Sequence, residues 1–309
     1  MSTSPDIVSL GEPLIEFNRP KEGDGFTWLQ GFGGDSQNVA IAAARQGAKA
    51  GYLTSLGQDW MGDAFLDLWK SEGVDSSRVT RHATAPTGVS FVTHSAAGHK
   101  FDYLRKNSAA SLMTPETLAK DYIAGAKVFH VSAIGQAISE TARATCAAAI
   151  TAAREAGVKV SYDTNLRLRL WDIELARRVI DETIARCDVA LPSIDDSQQL
   201  TGLKTADDIA DYYLKLGAPV VALKMAHEGC LIATKDKRLR LPPHRVTLVD
   251  ATGAGDTFDG SFLTRLLAGD DLEAAGRYAN VAAALSTTGY GAIAAIPRRA
   301  DVLAALSRA

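Results

Sequence analysis

The stretch "VDATGAGDTFDGSF" (residues 249–262) decides how this 309-residue chain is read. A glycine turn runs into Asp256, and Phe258, Phe262 and Leu266 then recur at i, i+4 and i+8. That spacing predicts a tight turn over Thr252–Gly255 and a helix starting near Asp256, with the three apolar side chains on its buried face. Glycines let backbone N–H groups converge on one point, and a helix N-terminus adds positive potential there, so the turn suits an anion. Two commoner glycine motifs are absent. G-x-G-x-x-G needs a glycine where Phe258 stands, and neither Gly253 nor Gly255 is followed by the Gly-Lys of a P-loop. Asp256 then has two readings. As a first-turn acid it caps a helix. In a phosphoryl-transfer site, donors must absorb charge on the moving group while a base takes the acceptor's proton, and a turn followed by an aspartate supplies both.

Outward from this motif, short β-branched runs alternate with alanine-rich helical stretches. Strands are expected at "DIVSLG" (6–11), "KAGYLTSLG" (49–57), "AKVFHVSA" (126–133), "VKVSYD" (158–163), "DVALPS" (188–193) and "PVVALKM" (219–225). Helices are expected at "QNVAIAAARQG" (37–47) and "ETARATCAAAITAAREAG" (140–157). The alternation predicts an α/β chain with a doubly wound, mostly parallel sheet flanked by helices. Residues 13–33 and 86–108 break the rhythm and alternate like exposed antiparallel strands, with "SAAG" as a hairpin turn. They are read as a small discontinuous β-rich lid on a single domain spanning 1–309. Polar residues follow successive strands, namely Glu12, Ser132, "DTNLR" (163–167), Ser193 and Lys224. A doubly wound fold gathers such positions into one cleft.

Composition excludes several function classes. A formal charge of −3 gives no case for nucleic acid or an anionic membrane, and no apolar run approaches the ~20 residues of a membrane span. Cys146, Cys187 and Cys230 are odd in number and widely spaced, so reduced core thiols are expected rather than a disulfide scaffold or zinc cluster. His130, inside "AKVFHVSAI", is read as a core strand residue. The start "MSTSPDIVSLGE" lacks a basic n-region, so a cytoplasmic location is expected.

"DATGAGDTFDGSF" closely resembles the C-terminal signature of the ribokinase-like (PfkB) carbohydrate kinases. "GGDSQNVAIAAARQG" (33–47) is similar to that family's N-terminal glycine motif, and "ANVAAALSTTGYGA" (279–292) to its adenine-side helix. The resemblance implies a ribokinase-like fold, ATP with Mg²⁺ as donor, and Asp256 as the base that deprotonates a sugar hydroxyl. It implies that the amides of Gly253, Ala254 and Gly255 stabilise the moving phosphoryl group. Ser193, Lys224, Gly229, Gly255, Asn280 and Ala283 fall on the ATP side. Asp250 and Thr252 could help hold a monovalent cation such as K⁺, as in some relatives. There are two departures. The family's Asn-x-x-Glu element reads Ser193-x-x-Asp196 here, which leaves Asp196 to meet Mg²⁺ through water, and Ala226 replaces a glycine of the ATP loop.

For the acceptor, period 2 puts Phe101, Tyr103 and Arg105 on one strand face, with Asp102, Leu104 and Lys106 on the other. Arg167 follows the fourth strand. Two guanidinium groups suit a carboxylate. Alternatively Arg105 is a solvated edge charge, and Arg167 contacts ATP phosphates; Arg169 is read as a surface charge. "GEPLIEF", "GGDSQNVA", "YLRKNSAAS" and "DTNLRLRLW" are similar to the 2-keto-3-deoxygluconate kinase branch, although that branch more often has Tyr-Tyr-Arg at 103–105. The resemblance implies Gly34, Asn38, Tyr103, Arg105 and Arg167 as substrate residues and phosphorylation of 2-keto-3-deoxygluconate at its 6-hydroxyl. A fructokinase- or ribokinase-like kinase of a neutral sugar and a non-catalytic sugar or nucleotide sensor remain the alternatives. A homodimer through the lid is expected from its strand edges.

Overall fold

The computed structural model describes residues 4–20, 24–95 and 98–308. Its strands, in chain order, are β1 (Ile7–Leu10), β2 (Leu14–Asn18), β3 (Leu29–Gly33), β4 (Ala50–Leu53), β5 (Ser55–Gly57), β6 (Thr80–His82) and β7 (Gly88–Ser95). They continue as β8 (Gly98–Leu104), β9 (Val128–Ser132), β10 (Lys159–Asp163), β11 (Val189–Ala190), β12 (Val220–Lys224), β13 (Cys230–Ala233) and β14 (Arg238–Leu241). Among the described residues, eight strands form one sheet in the order β14-β13-β12-β11-β10-β9-β1-β4. The run from β4 to β12 is parallel, and β13 and β14 return antiparallel at the edge.

The apolar strand runs follow from burial on both faces. One core layer packs Ile150, Ile180, Ile184, Ile209 and Tyr213 against one face of the sheet. The other packs the helices Asp35–Gln46, Ala254–Leu267 and Leu272–Ser286 against the opposite face, through Ile41, Phe262 and Ala279 among others. His130 is fully buried in β9 and shares a 3.0 Å hydrogen bond with Ser161 of β10. Burial pushes its pKa down to about 4, so it is a neutral core residue. The three cysteines are free and buried.

Several boundaries differ from expectation for physical reasons. The run 49–57 breaks at Thr54, and its second half leaves the main sheet to pair with β6. The run 188–193 keeps only two strand residues, because Pro192 has no N–H to give a ladder. β13 and β14 were not expected, since "TKDK" (234–237) between them carries no Gly, Pro or Asn turn signal.

Residues 13–33 and 86–108 contribute a four-stranded sheet in the order β3-β2-β7-β8. β7 and β8 pair antiparallel from Val89↔Leu104 to Ser95↔Gly98, while Ala96 and Ala97 of the expected "SAAG" turn lie outside the described residues.

The helices Asp35–Gln46 and Ala254–Leu267 cross in close contact. A Cβ at Gly260 would stand 2.5 Å from the Val39 carbonyl oxygen, so glycine permits this approach. The second helix is therefore buried all round over residues 256–264, and not only on the Phe258–Phe262 face. This crossing brings the two glycine motifs of the chain together.

Candidate active site

The helix carrying Asp256 begins at Ala254, two residues earlier than the sequence suggests, with Gly253 as its N-cap. Gly253 adopts φ 77°, and a Cβ there would meet the Ala292 carbonyl oxygen at 2.9 Å. Only glycine meets both demands. The first turn of a helix leaves amides without intrahelical acceptors. The Ala254 amide donates to the Ala251 carbonyl at 3.2 Å, which leaves those of Gly255 and Asp256 open.

Asp256 is the third helical residue and only 8% exposed. Its side chain caps nothing, in contrast to the capping role that its position suggested. Its Oδ2 accepts from Asn38 Nδ2 at 2.7 Å instead. Burial, and then the charge of Asp35, push its pKa up to about 7, against the Asn38 hydrogen bond. A carboxyl so placed takes a proton near neutral pH.

A cavity of about 560 Å³ lies over this turn. Its floor holds Gly253, Ala254, Gly255 and Asp256; Gly34 and Asn38 come from the first glycine motif, and Tyr103, Arg105 and Arg167 line another side. Ser193, Asp196 and Lys224 also line it. A second cavity of about 750 Å³ is lined by Gly229, Asn280 and Ala283, together with His227, His244 and Arg245. The acceptor-side residues thus line the first cavity and Gly229, Asn280 and Ala283 the second, while Lys224, Ala254 and Gly255 line both.

Several have local partners that qualify their expected roles. Ser193 caps the helix Ile194–Thr201, its hydroxyl accepting from the Asp196 amide at 3.3 Å. Asp196 Oδ2 accepts from the Leu166 amide at 3.1 Å, and burial raises its pKa. Asn280 Nδ2 donates to the Pro242 carbonyl at 3.1 Å at the end of β14. Asp250 accepts from the Thr252 amide and hydroxyl and from the Gly291 amide. Ala226, where a glycine was expected, adopts φ 49°.

Arg105 is no solvated edge charge. Its guanidinium, whose side chain is 11% exposed, bridges to Glu12, whose side chain is fully buried, with Nε donating at 2.7 Å. Ser108 also bonds Glu12. Leu104 points away and is 67% exposed, as the alternation requires. Arg167 is exposed and donates to the Leu166 carbonyl at 2.7 Å. Arg169, read above as a surface charge, donates to the Phe101 carbonyl and ties its loop to β8.

Acids that the sequence reading did not single out complete the cavity wall. Asp35 accepts from Ser132 and, at 3.2 Å, from Asn165. Glu16 on β2 is buried, and burial with the Asp250 charge raises its pKa to about 7. Asp35 follows a glycine pair, the same signal that marks Asp256, and could have been found that way. Glu16 sits within an alternating strand and offers no such mark.

A doubly wound, mostly parallel sheet with a buried acid at a helix N-terminus facing a cavity is the architecture of the ribokinase-like class. The pfkB family carbohydrate kinase pattern matches residues 4–299, and the chain belongs to that family. It is 36% identical to "Probable fructokinase-5" of Arabidopsis thaliana, over 97% of each chain. It is 34% identical to the "2-dehydro-3-deoxygluconokinase" of Bacillus subtilis, covering 98% of this chain and 95% of that one. The solved fructokinase of Vibrio cholerae O395, in its fructose-, ADP- and calcium-bound form, superposes with a TM-score of 0.87. It is 26% identical and covers 99% of this chain and 100% of that one.

Proposed function

We propose that this carbohydrate kinase transfers the γ-phosphoryl group of ATP to a hydroxyl of a sugar acid, with 2-keto-3-deoxygluconate as acceptor and its 6-hydroxyl as the site. The observation that carries the reading is Asp256, a buried carboxyl at a helix N-terminus whose pKa is raised to about 7. Asp256 takes the proton of the acceptor hydroxyl, whose oxygen bonds the γ-phosphorus while the bond to the β-phosphate oxygen breaks and ADP leaves. The anion hole for the charge on the transferring group is the helix start after Gly253, with the open amides of Gly255 and Asp256; the Ala254 amide, expected to contribute, is taken by the Ala251 carbonyl. Gly34 and Asn38 hold the sugar. The second cavity takes the nucleotide, with Gly229, Asn280 and Ala283 around the base and Ser193 and Lys224 towards the phosphates.

Mg²⁺ fits this donor set through water and phosphate. Among the described residues no three His, Cys, Asp or Glu side chains gather to cage a metal, and Mg²⁺ commonly keeps waters and meets one or two carboxylates. Asp196 is the carboxylate offered for it, and bound Mg²⁺ would neutralise phosphate charge. Asp250 and Thr252 remain the groups proposed for a monovalent cation.

The acceptor assignment rests on Tyr103, Arg105 and Arg167 along one wall of the cavity. One observation favours a second reading, a neutral sugar such as fructose: Glu12 already neutralises Arg105, and Glu16 and Asp35 add acids that suit hydroxyl donors. Phosphorylation of 2-keto-3-deoxygluconate, fructose, ribose and adenosine with ATP and Mg²⁺ separates the readings. The sugar acid is expected to have the highest kcat/KM. A wide margin for fructose or ribose overturns the assignment, and no turnover with any acceptor favours a sensor.

The sheet β3-β2-β7-β8 is proposed to act as a lid on a single 1–309 domain and to pair with a second copy. The exposure of Leu29 and Leu104 supports that pairing. No helix among the described residues is long and apolar enough to cross a membrane; a cytoplasmic location is part of the proposal.

A further inference from the structure

Asp259 is fully buried and lines neither cavity, yet both of its carboxylate oxygens meet the ammonium of Lys224, at 2.9 and 3.0 Å. Asp163, at the end of β10, stands 3.2 Å from the same nitrogen. A buried acid with no access to substrate acts through what it holds. What Asp259 holds is placed at a singular point. Five residues line both cavities, namely Lys224, Ala226, Ala251, Ala254 and Gly255, and of these only Lys224 is charged. Its Nζ lies 3.6 Å from where a Cβ on Gly255 would stand, beside an open amide of the anion turn. Lys224 is therefore the charged side chain that the two cavities share.

Lysine is a point charge on a flexible stem, so its direction must be imposed from outside. Asp259 lies one helical turn beyond Asp256 on the same helix. That helix therefore carries the base, presents the open amides and, through Asp259, aims the ammonium. From this geometry we infer that Asp259 is a positioning residue for phosphoryl transfer, which aims Lys224 at the junction of the two cavities. The inference rests on the chain's being a kinase, but on neither choice of acceptor.

The test is a double-mutant cycle on the full chain, using whichever sugar the wild type phosphorylates fastest, so that a wrong acceptor assignment does not affect it. Asp259→Asn is expected to lower kcat by roughly 10²-fold, the usual scale for a misplaced group, with the acceptor KM unchanged. Lys224→Gln is expected to lower kcat as well. Adding Asp259→Asn to Lys224→Gln is expected to cost nothing further, because the two residues act as one unit. Near-native kcat in Asp259→Asn overturns the inference, as does a further loss in the double variant. If Asp259→Asn alone fails to fold, the double variant, in which the lysine and the nearer of its two acids change together, is compared with Lys224→Gln. Equal kcat supports the inference, and a lower one overturns it.

Discussion

Asn38 donates from its side-chain amide to Asp256 Oδ2 across 2.7 Å, joining residues 218 positions apart in the chain. This bond is where the two glycine-led helices meet, and it holds a carboxyl that burial would otherwise leave unpaired. It also lowers the pKa of the proposed base. The Asp256 pKa of about 7 reflects burial first and Asp35 second, with Asn38 opposing both.

The pH–rate profile follows from that balance. The base works only when ionised, so kcat/KM is expected to fall as pH drops through about 7 in the free enzyme. Asp35→Asn removes a repelling charge and should move that acid limb to lower pH, whatever its effect on the plateau. An unmoved limb would detach it from Asp256.

Stability should show the same group with the opposite sign. The folded pKa of Asp256 lies above its unfolded value of 3.8. The stability it contributes is therefore fully present below about pH 4 and lost as pH rises through about 7. Asp256→Asn is expected to be more stable than the wild type at pH 8, by an amount on the order of a few kcal/mol. The gap should close below pH 4. Chemical denaturation at both pH values measures it, and a less stable variant at pH 8 contradicts the burial argument.

The end of β8 and the segment after β1 are joined by Arg105 and Glu12, and the fully buried side chain of Glu12 makes this more than a surface contact. Arg105→Ala leaves that carboxylate without its cation and should destabilise the fold by about 3–5 kcal/mol. Arg167→Ala removes an exposed side chain and should stay within about 0.5 kcal/mol, while weakening an acid acceptor more than a neutral one. Thermal melts beside acceptor KM values separate the two effects.

Ala226 occupies left-handed space at φ 49°, where a Cβ is costly. Ala226→Gly relieves that strain but adds freedom to the unfolded chain, so a net gain of roughly 0.5 kcal/mol is expected. Equilibrium unfolding checks it, and a loss of stability would mean that Ala226 packing outweighs its backbone.

Much of the architecture is legible in the chain because it obeys local rules. The parallel strands announce themselves as β-branched runs, and "TGAGD" places an acid beside a glycine turn. Legibility fails where the cause is tertiary. Nothing local says that Asp256 bonds Asn38 rather than its own helix end, or that Glu12 claims the guanidinium of Arg105. Asp259 reads as one more polar residue in a helix until β12 delivers Lys224 beneath it. The edge strands β13 and β14 escape for a simpler reason, the absence of a glycine or proline in the turn between them.

The role proposed for Asp256 is that of the base of a sugar kinase. It is tested most directly by the kcat of Asp256→Asn, with ATP, Mg²⁺ and the best acceptor, in a variant whose circular dichroism matches the wild type. A loss of ~10²–10⁴-fold is expected. Near-native turnover in the folded variant would contradict it.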